Sequence, residues 1–283
     1  MSIAAAPVEL DAAARAMVDQ AAELLAGRRV AVLTGAGVST DSGIPDYRGA
    51  GAPVRTPMTY SQFLADEPYR KRYWAGSHLG WRRFSSVSPN AGHRTLAELE
   101  EGGVVTGIVT QNVDGLHVRA GSRRVVDLHG SMERVACLHC GQMFDRHAIA
   151  ERIALLNPWL DDAESTLNPD GDAEVADVSR FAVPECSVCG GTLKPDIVFF
   201  GEFVPPVKFE EARGIVARSD ALLVLGSSLV VNSGVRLLGL ASKKRIPTII
   251  VNRGITKGDS RAALKIEAGT TETLAVLRDA LLA

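Results

Sequence analysis

The sequence has few cysteines, almost no net charge and no long apolar run, and each shortage excludes a class of protein. Its 4 cysteines among 283 residues are too few for a secreted protein held together by disulfide bonds. The 31 basic and 33 acidic side chains nearly cancel, which argues against nucleic acid as a direct binding partner. No apolar run approaches the ~18 residues that a membrane-spanning helix needs, so we expect no membrane partner.

The N-terminal segment lacks the basic start of a secretory signal, because its first cationic residue is Arg15. We therefore expect a cytoplasmic protein. A chain of this length buries roughly 75% of its unfolded surface, which is enough for one large domain and a small satellite. The sequence does not define the oligomeric state, for which a monomer is the simplest expectation.

Apolar runs of strand length alternate with helical patterns through most of the chain. The runs at 29–33, 104–110, 197–200, 221–225 and 246–251 each predict a buried strand. Helical spacing of apolar residues predicts helices at 11–26, 91–101, 209–217, 235–243 and 271–282. Such an alternation is typical of α/β proteins, and it predicts a doubly wound, Rossmann-like parallel sheet with helices on both faces.

The cysteines form the most specific single pattern. Cys137 and Cys140 make one Cys-x-x-Cys pair, Cys186 and Cys189 make a second after 45 intervening residues, and glycine follows each pair. Two such pairs supply the four thiolates of a closed tetrahedral zinc site, in which the metal stabilises the fold and has no open position for water. The alternative is two reduced or redox-active dithiols.

Two stretches interrupt the α/β alternation. Residues 45–89 contain five prolines and predict an excursion of loops and short helices. Residues 158–185 contain eight acidic side chains and one basic side chain. We predict a dinucleotide-binding domain formed by 1–44, 90–131 and 192–283, with 45–89 belonging to a small domain. Residues 132–191 form an inserted zinc-ribbon module with a long acidic insertion.

A loop of small residues follows the first predicted strand. Gly35, Ala36, Gly37 and Ser39 leave room for backbone N–H groups to approach a phosphate closely. Thr40 stands where a third glycine would complete the usual dinucleotide motif, so a tight turn without a ligand stays open as an alternative. The polar residues that come next make that alternative less attractive; they are Asp46, Tyr47 and Arg48.

Other polar residues follow predicted strands at their carboxyl ends, where parallel sheets bind ligands. After residue 110, the Asn112 amide could orient a hydroxyl or a water molecule, and the Asp114 carboxylate could accept a hydrogen bond from a carboxamide. Capping of the next helix is the alternative for this pair. Further groups of this kind are Gly226, Ser227 and Ser228, and Asn252, Arg253 and Gly254.

Among the six histidines, His129 has the best setting for a general base, because it follows a short apolar strand and precedes glycine. His117 is the second candidate. The segment Lys194–Glu202 is either a core strand or an edge to which a substrate peptide adds as a strand.

Taken together, these motifs closely resemble the sirtuin family, from about residue 25 to the C-terminus. Leu193–Gly201 and the long segment between the cysteine pairs look most like class II of that family. The resemblance implies NAD-dependent removal of an acyl group from lysine, which gives nicotinamide, free lysine and O-acyl-ADP-ribose, and it implies one structural zinc ion. The partners would be acylated lysine peptides or proteins.

The resemblance also implies a role for each motif. The acyl-lysine carbonyl oxygen attacks the ribose carbon as nicotinamide leaves, and His129 then deprotonates a ribose hydroxyl, with Asn112 as a second catalytic residue. The NAD-binding residues would be Gly35, Ala36, Gly37, Ser39, Asp46, Tyr47, Arg48, Gln111, Asn112, Asp114, Gly226, Ser227, Ser228, Asn252, Arg253, Gly254 and Thr270. The substrate-binding residues would be Val198, Phe199, Phe200, Gly201 and Val230.

Three alternatives stay open. Mono-ADP-ribosyl transfer to protein uses the same cleavage of NAD, and a non-catalytic NAD sensor would need no base. A dehydrogenase is less favoured, because no separate substrate domain is evident. Tyr69 and Arg72 have the spacing of a pair that reads acidic acyl groups in the family, but they follow Pro68 too closely to align with it, so desuccinylation is not predicted. Residues 155–185 either reach the acyl channel or form a solvated face.

Overall fold

The computed structural model describes residues 10–46, 57–160, 175 and 177–283. The predicted NAD contacts of Tyr47 and Arg48 and much of the acidic insertion lie outside these residues. In chain order the strands are β1 (Val30–Thr34), β2 (Val105–Thr110), β3 (Val125–Asp127), β4 (Gly130–Cys137), β5 (Met143–Asp145), β6 (Leu193–Ile197), β7 (Ala221–Leu225), β8 (Thr248–Val251) and β9 (Leu264–Ile266). The helices are α1 (Ala12–Leu25), α2 (Tyr60–Ala65), α3 (Glu67–Phe84), α4 (Ala91–Glu101), α5 (Leu116–Arg119), α6 (Arg146–Leu156), α7 (Pro206–Ala217), α8 (Asn232–Lys244) and α9 (Thr270–Leu281).

Six parallel strands form the main sheet in the order β3-β2-β1-β7-β8-β9. All residues of β1 are buried, and they alternate between two cores. Val30 and Val32 face the core that contains Leu96 of α4 and Leu274 of α9, whereas Leu33 faces the core of α7 and α8. Helices therefore cover both faces, which confirms the doubly wound fold. The strand order reverses between β1 and β7, the place where such sheets bind ligands.

A second, three-stranded sheet has the order β5-β4-β6 and is antiparallel. The predicted buried strand at 197–200 is wrong in extent and in sheet, because β6 covers Leu193–Ile197 and pairs with β4. The apolar run misled the prediction because Phe199 is buried by side-chain packing: its ring centroid lies 5.2 Å from that of Phe63 and 5.0 Å from that of Tyr73. The predicted domain boundaries stay a prediction, although the pairing joins residues 193–197 to the cysteine-containing module.

Within 45–89, α2 with 6 residues is a short helix as expected, but the expectation is wrong for α3, which has 18 residues. Pro68 is the second residue of that helix, a position at which the missing N–H removes no intrahelical hydrogen bond. Trp74 and Trp81 are buried in the core of the small domain. The other predicted strands and helices are confirmed with end points within three residues of those expected. Within the described ranges, no helix is both long and apolar enough to cross a membrane.

Candidate active site

The carboxyl ends of β1 and β7 form the floor of a large cavity. The Gly35 N–H donates to the Leu225 carbonyl at 3.0 Å, and the Gly37 N–H donates to the Gly226 carbonyl at 2.9 Å. The two loops touch backbone to backbone, since a Cβ atom on Gly37 would lie 2.7 Å from the Gly226 Cα atom. Gly226 also has φ +57°, a conformation that favours glycine. Gly226, directly after β7, therefore adds a third glycine to this close contact, and Thr40 is exposed with its hydroxyl donating to the Gly37 carbonyl at 3.0 Å.

The cavity has a volume of about 900 Å³ and brings together most of the predicted site residues. Of the predicted catalytic, NAD-binding and substrate-binding residues, those that line it are Gly35, Ala36, Gly37, Ser39, Asp46, Gln111, Asn112, Asp114, His129, Val198, Phe199, Phe200, Gly201, Gly226, Ser227, Ser228, Val230, Asn252, Arg253 and Gly254. Thr270, the first residue of α9, is buried and is not among the described residues that line the cavity.

Asn112 and Asp114 organise the wall next to the glycine loop. The Asn112 side-chain amide donates to the Gly35 carbonyl and to the Ser39 hydroxyl, each at 3.1 Å. The Ser39 hydroxyl donates to Asp114 Oδ2 at 2.6 Å. Burial raises the pKa of the Asp114 carboxyl, and the hydrogen bond from Ser39 opposes that rise. Asp114 Oδ1 also accepts the N–H of Leu116, the first residue of α5, at 2.9 Å, but the N-cap of α5 is Gly115, so neither Asn112 nor Asp114 is the capping residue.

His129 is held at both ring nitrogens. Its Nδ1 lies 3.0 Å from the Gln111 carbonyl oxygen. Because a carbonyl only accepts, Nδ1 carries the proton and Nε2 of the neutral ring has the lone pair that accepts hydrogen bonds. Burial lowers the pKa of His129, and the hydrogen bond to Gln111 partly opposes this. The imidazole is therefore neutral near pH 7, as a general base requires.

Nε2 of His129 lies 2.8 Å from the hydroxyl of Ser233, a cavity-lining residue that the sequence analysis missed. The two residues are 104 positions apart, and no local motif marks Ser233. The second histidine candidate, His117, is excluded from the site by its position. It contacts the Thr34 hydroxyl at 2.9 Å inside the protein, burial lowers its pKa to about 4, and it does not line the cavity.

The segment after β6 forms the opposite wall and is bonded to the backbone of the histidine. The Val198 N–H donates to the His129 carbonyl at 2.8 Å, and the Phe200 carbonyl accepts from the Tyr60 N–H at 2.9 Å. A buried ion pair supports the following turn: Lys194 Nζ lies 3.0 Å from Glu202 Oε2, which also accepts the Phe199 N–H. This extended segment and the loop with Val230 line one cavity, as a peptide cleft requires.

The lining of the cavity contains both polar and apolar groups of residues. Asn252 and Arg253 belong to the polar group: Asn252 Nδ2 donates to the Arg253 carbonyl at 2.8 Å, and Arg253 pairs with Glu272 at 3.1 Å. Apolar and aromatic side chains of the core that contains Trp74 and Trp81 also line the cavity, namely Ile44, Met58, Tyr73 and Phe84. Tyr69 and Arg72 do not line it, and their side chains instead contact each other, with the guanidinium 5.5 Å from the ring centroid.

The four cysteines meet outside the cavity, at the end of the second sheet. Their sulfur atoms all lie within 4.8 Å of one another. The Cys137–Cys189 and Cys140–Cys186 sulfur distances are 3.6 and 3.8 Å. Zn–S bonds of about 2.3 Å in a tetrahedron place sulfur atoms roughly 3.8 Å apart. The arrangement therefore fits one structural zinc ion held by four thiolates, and each close contact joins the two Cys-x-x-Cys pairs.

Comparison with known proteins gives one consistent family. The Sir2 family model matches residues 35–233. NAD-dependent protein deacetylase 1 of Mycobacterium avium (strain 104) is 53% identical, over 91% of this chain and 93% of that protein. NAD-dependent protein deacylase Sirt4 of Drosophila melanogaster is 46% identical, over 90% of this chain and 84% of that protein.

Solved structures agree with these sequence relatives. A structure described as Sir2 with a p53 peptide and NAD+ is 31% identical with a TM-score of 0.68, and the match covers 93% of this chain and 97% of that one. The glycine loop, the buried histidine and the four-cysteine cluster thus occur in a chain that aligns along nearly its whole length with such proteins. The chain belongs to the Sir2, or sirtuin, family.

Proposed function

We propose that this protein is an NAD-dependent protein-lysine deacylase that releases nicotinamide, deacylated lysine and O-acyl-ADP-ribose. The observation that carries this proposal is His129, a neutral imidazole that lines the cavity between the glycine loop and the Val198–Gly201 segment. Simple NAD binding does not need a base at that position, so a non-catalytic sensor is less well supported. The names of the relatives, which are NAD-dependent protein deacetylases and deacylases, support the same activity.

Each wall of the cavity has a defined task in this proposal. NAD, when bound, supplies the ribose carbon that receives the acyl oxygen and the hydroxyl that receives the acyl group. The glycine loop holds the phosphates, and Asn112 and Asp114 orient the nicotinamide end. The acylated lysine peptide lies between the Val198–Gly201 segment and the loop with Val230. His129 Nε2 then takes a proton from a ribose hydroxyl.

The experiment that tests this function is mass spectrometry of the purified protein with NAD and a panel of acyl-lysine peptides. We expect nicotinamide, free lysine and O-acyl-ADP-ribose in equal amounts, and the best peptide identifies the acyl group. ADP-ribose attached to protein, without loss of the acyl group, would establish mono-ADP-ribosyl transfer instead. Intact NAD with every peptide would contradict an enzymatic function of this site.

The backbone contact between Gly37 and Gly226 gives a separate prediction about NAD binding. We expect Gly226→Ala to weaken NAD binding at least tenfold, because the new Cβ would lie 2.6 Å from the Gly37 carbonyl carbon and push the loop out of place. Isothermal titration calorimetry measures this change. Gly27→Ala is the matched control, since Gly27 has φ +67° with no atom within 4 Å of the added Cβ. Equal NAD affinities in the two variants would contradict the prediction.

A further inference from the structure

Ser233 contacts the base that the proposed reaction uses. It lies in the first turn of α8, its side chain is buried with 5% exposure, and it lines the same cavity as His129. Its hydroxyl is 2.8 Å from His129 Nε2. Because Nδ1 carries the ring proton, the serine hydroxyl donates to the Nε2 lone pair in the neutral state.

The contact belongs to a group of hydrogen bonds that share Gln111 and His129. The Ser227 hydroxyl donates to the Gln111 side-chain oxygen at 2.7 Å, and the Gln111 carbonyl accepts from His129 Nδ1. The first turn of α8 packs on the same glutamine, since a Cβ on Gly234 would lie 3.2 Å from Gln111 Nε2. Gln111 therefore holds one edge of the imidazole and Ser233 holds the other, so the ring plane is fixed before any substrate binds.

Helix capping does not account for this serine. The N-cap residue of α8 is Val231, which makes no side-chain capping hydrogen bond, and the Ser233 hydroxyl points to the histidine. A hydroxyl can both donate and accept, whereas the methyl group of alanine can do neither. After a proton reaches Nε2, the same oxygen can accept from Nε2–H without moving the ring. Hydrogen bonds from a charged donor are roughly twice as strong as neutral ones, so this contact favours the imidazolium that catalysis forms.

We propose that Ser233 is a positioning residue that holds His129 in its catalytic orientation and supports both of its protonation states. The inference rests on the proposed deacylase function. In the step concerned, the ribose O–H bond breaks, the proton bonds to His129 Nε2, and the electron pair stays on the ribose oxygen. Because Nε2 has a single lone pair, the Ser233 O–H turns away from it before this transfer, and the Ser233 oxygen accepts from Nε2–H once the ring is charged.

The test compares Ser233→Ala with Ser233→Thr, which keeps the hydroxyl. We expect Ser233→Ala to lower kcat about tenfold, to leave the KM for NAD close to that of the wild type, and to move the acid limb of the kcat profile to lower pH by about half a unit. The direction follows because loss of the hydroxyl removes more stabilisation from the imidazolium than from the neutral ring. Ser233→Thr should restore both kcat and the acid limb.

The control is Ser242→Ala on the same helix, which removes a hydroxyl that donates to the Leu238 carbonyl at 3.1 Å, away from the cavity. Other charged groups near His129 are unchanged in every variant, so differences between variants report the hydroxyl. Those that line the cavity are Asp46, Asp114, Glu202, Arg236 and Arg253, and Asp127 at the end of β3 pairs with Arg134.

Direct titration of the His129 ring by NMR in the free protein separates this inference from the proposed function. A lowered pKa of His129 in Ser233→Ala, restored in Ser233→Thr, supports the role of Ser233 whether or not an acyl peptide is turned over. Absence of turnover with every peptide would count against the deacylase function alone. An unchanged pKa together with a wild-type kcat in Ser233→Ala would overturn the inference. A lower melting temperature with an unchanged acid limb would overturn it too, because it would reduce Ser233 to a structural role.

Discussion

Replacement of His129 by alanine is expected to lower deacylation by about 10²- to 10⁴-fold, the usual contribution of a general base. The fold should survive, because the imidazole lines an open cavity and its partners, the Gln111 carbonyl and the Ser233 hydroxyl, become accessible to water. NAD should still bind, since the glycine loop is built from β1 and β7. Product formation by mass spectrometry and NAD affinity by calorimetry measure the two effects separately.

His147→Ala is the control for this experiment, because His147 is an exposed histidine on α6, outside the cavity. It should retain wild-type turnover. Wild-type turnover in His129→Ala would refute the assignment of the base. Loss of NAD binding in His129→Ala would show that the histidine acts on affinity and not on proton transfer.

Removal of the zinc ligands is expected to unfold the cysteine-containing module. Structural zinc contributes folding free energy on the order of 10 kcal/mol, so Cys137→Ser should lose the metal and melt at a much lower temperature. Metal content by elemental analysis should fall from one zinc per chain to nearly none. Chelation of the wild-type protein should give the same melting behaviour.

His139→Ala is the matched control for the zinc experiment. His139 lies between two of the cysteines, but its Nδ1 is 3.4 Å from the Thr192 N–H and the four thiolates already complete a tetrahedral site. This variant should keep its zinc. A Cys137→Ser protein with unchanged zinc content and melting temperature would contradict the four-thiolate site.

Loss of zinc should also reduce turnover, because β4 connects the zinc site to His129. The strand begins at Gly130, next to His129, and ends at Cys137. Melting of the module frees this strand and the β6 strand paired with it, and the Val198 contact to the His129 carbonyl goes with them. Activity and melting should therefore be lost together as the chelator concentration rises.

Much of the fold was predictable from the sequence, because its signals are local. The β1, β7 and β8 strands are short apolar runs, and both faces of the sheet are covered, so continuous burial and strand character coincide there. The same rule failed for 197–200, where Phe199 is buried by aromatic packing outside the main sheet. It also gave no sign of β9, whose three residues include Lys265.

In the candidate site, too, the sequence predicts local features better than contacts between distant residues. The glycine loop, Asn112, His129 and the cysteines lie in short motifs that can be read from the sequence. Two contacts that complete the site join distant parts of the chain and have no such motif. The Gly226 backbone reaches Gly37, and the Ser233 hydroxyl reaches His129 from another helix. Cytoplasmic location and a monomeric state stay predictions.

Gly130, directly after His129, is the first residue of β4 in the second sheet, which ends at the zinc ligand Cys137. It has φ +81°, and a side chain there would collide with the Asp196 carbonyl of β6. Where β3 leads into β4, the chain therefore leaves the main sheet at a point where the β6 backbone leaves no room for a Cβ atom. For protein engineering, this defines a grafting point: any exchange of the zinc module has to keep glycine at residue 130 and the register of the strand opposite it.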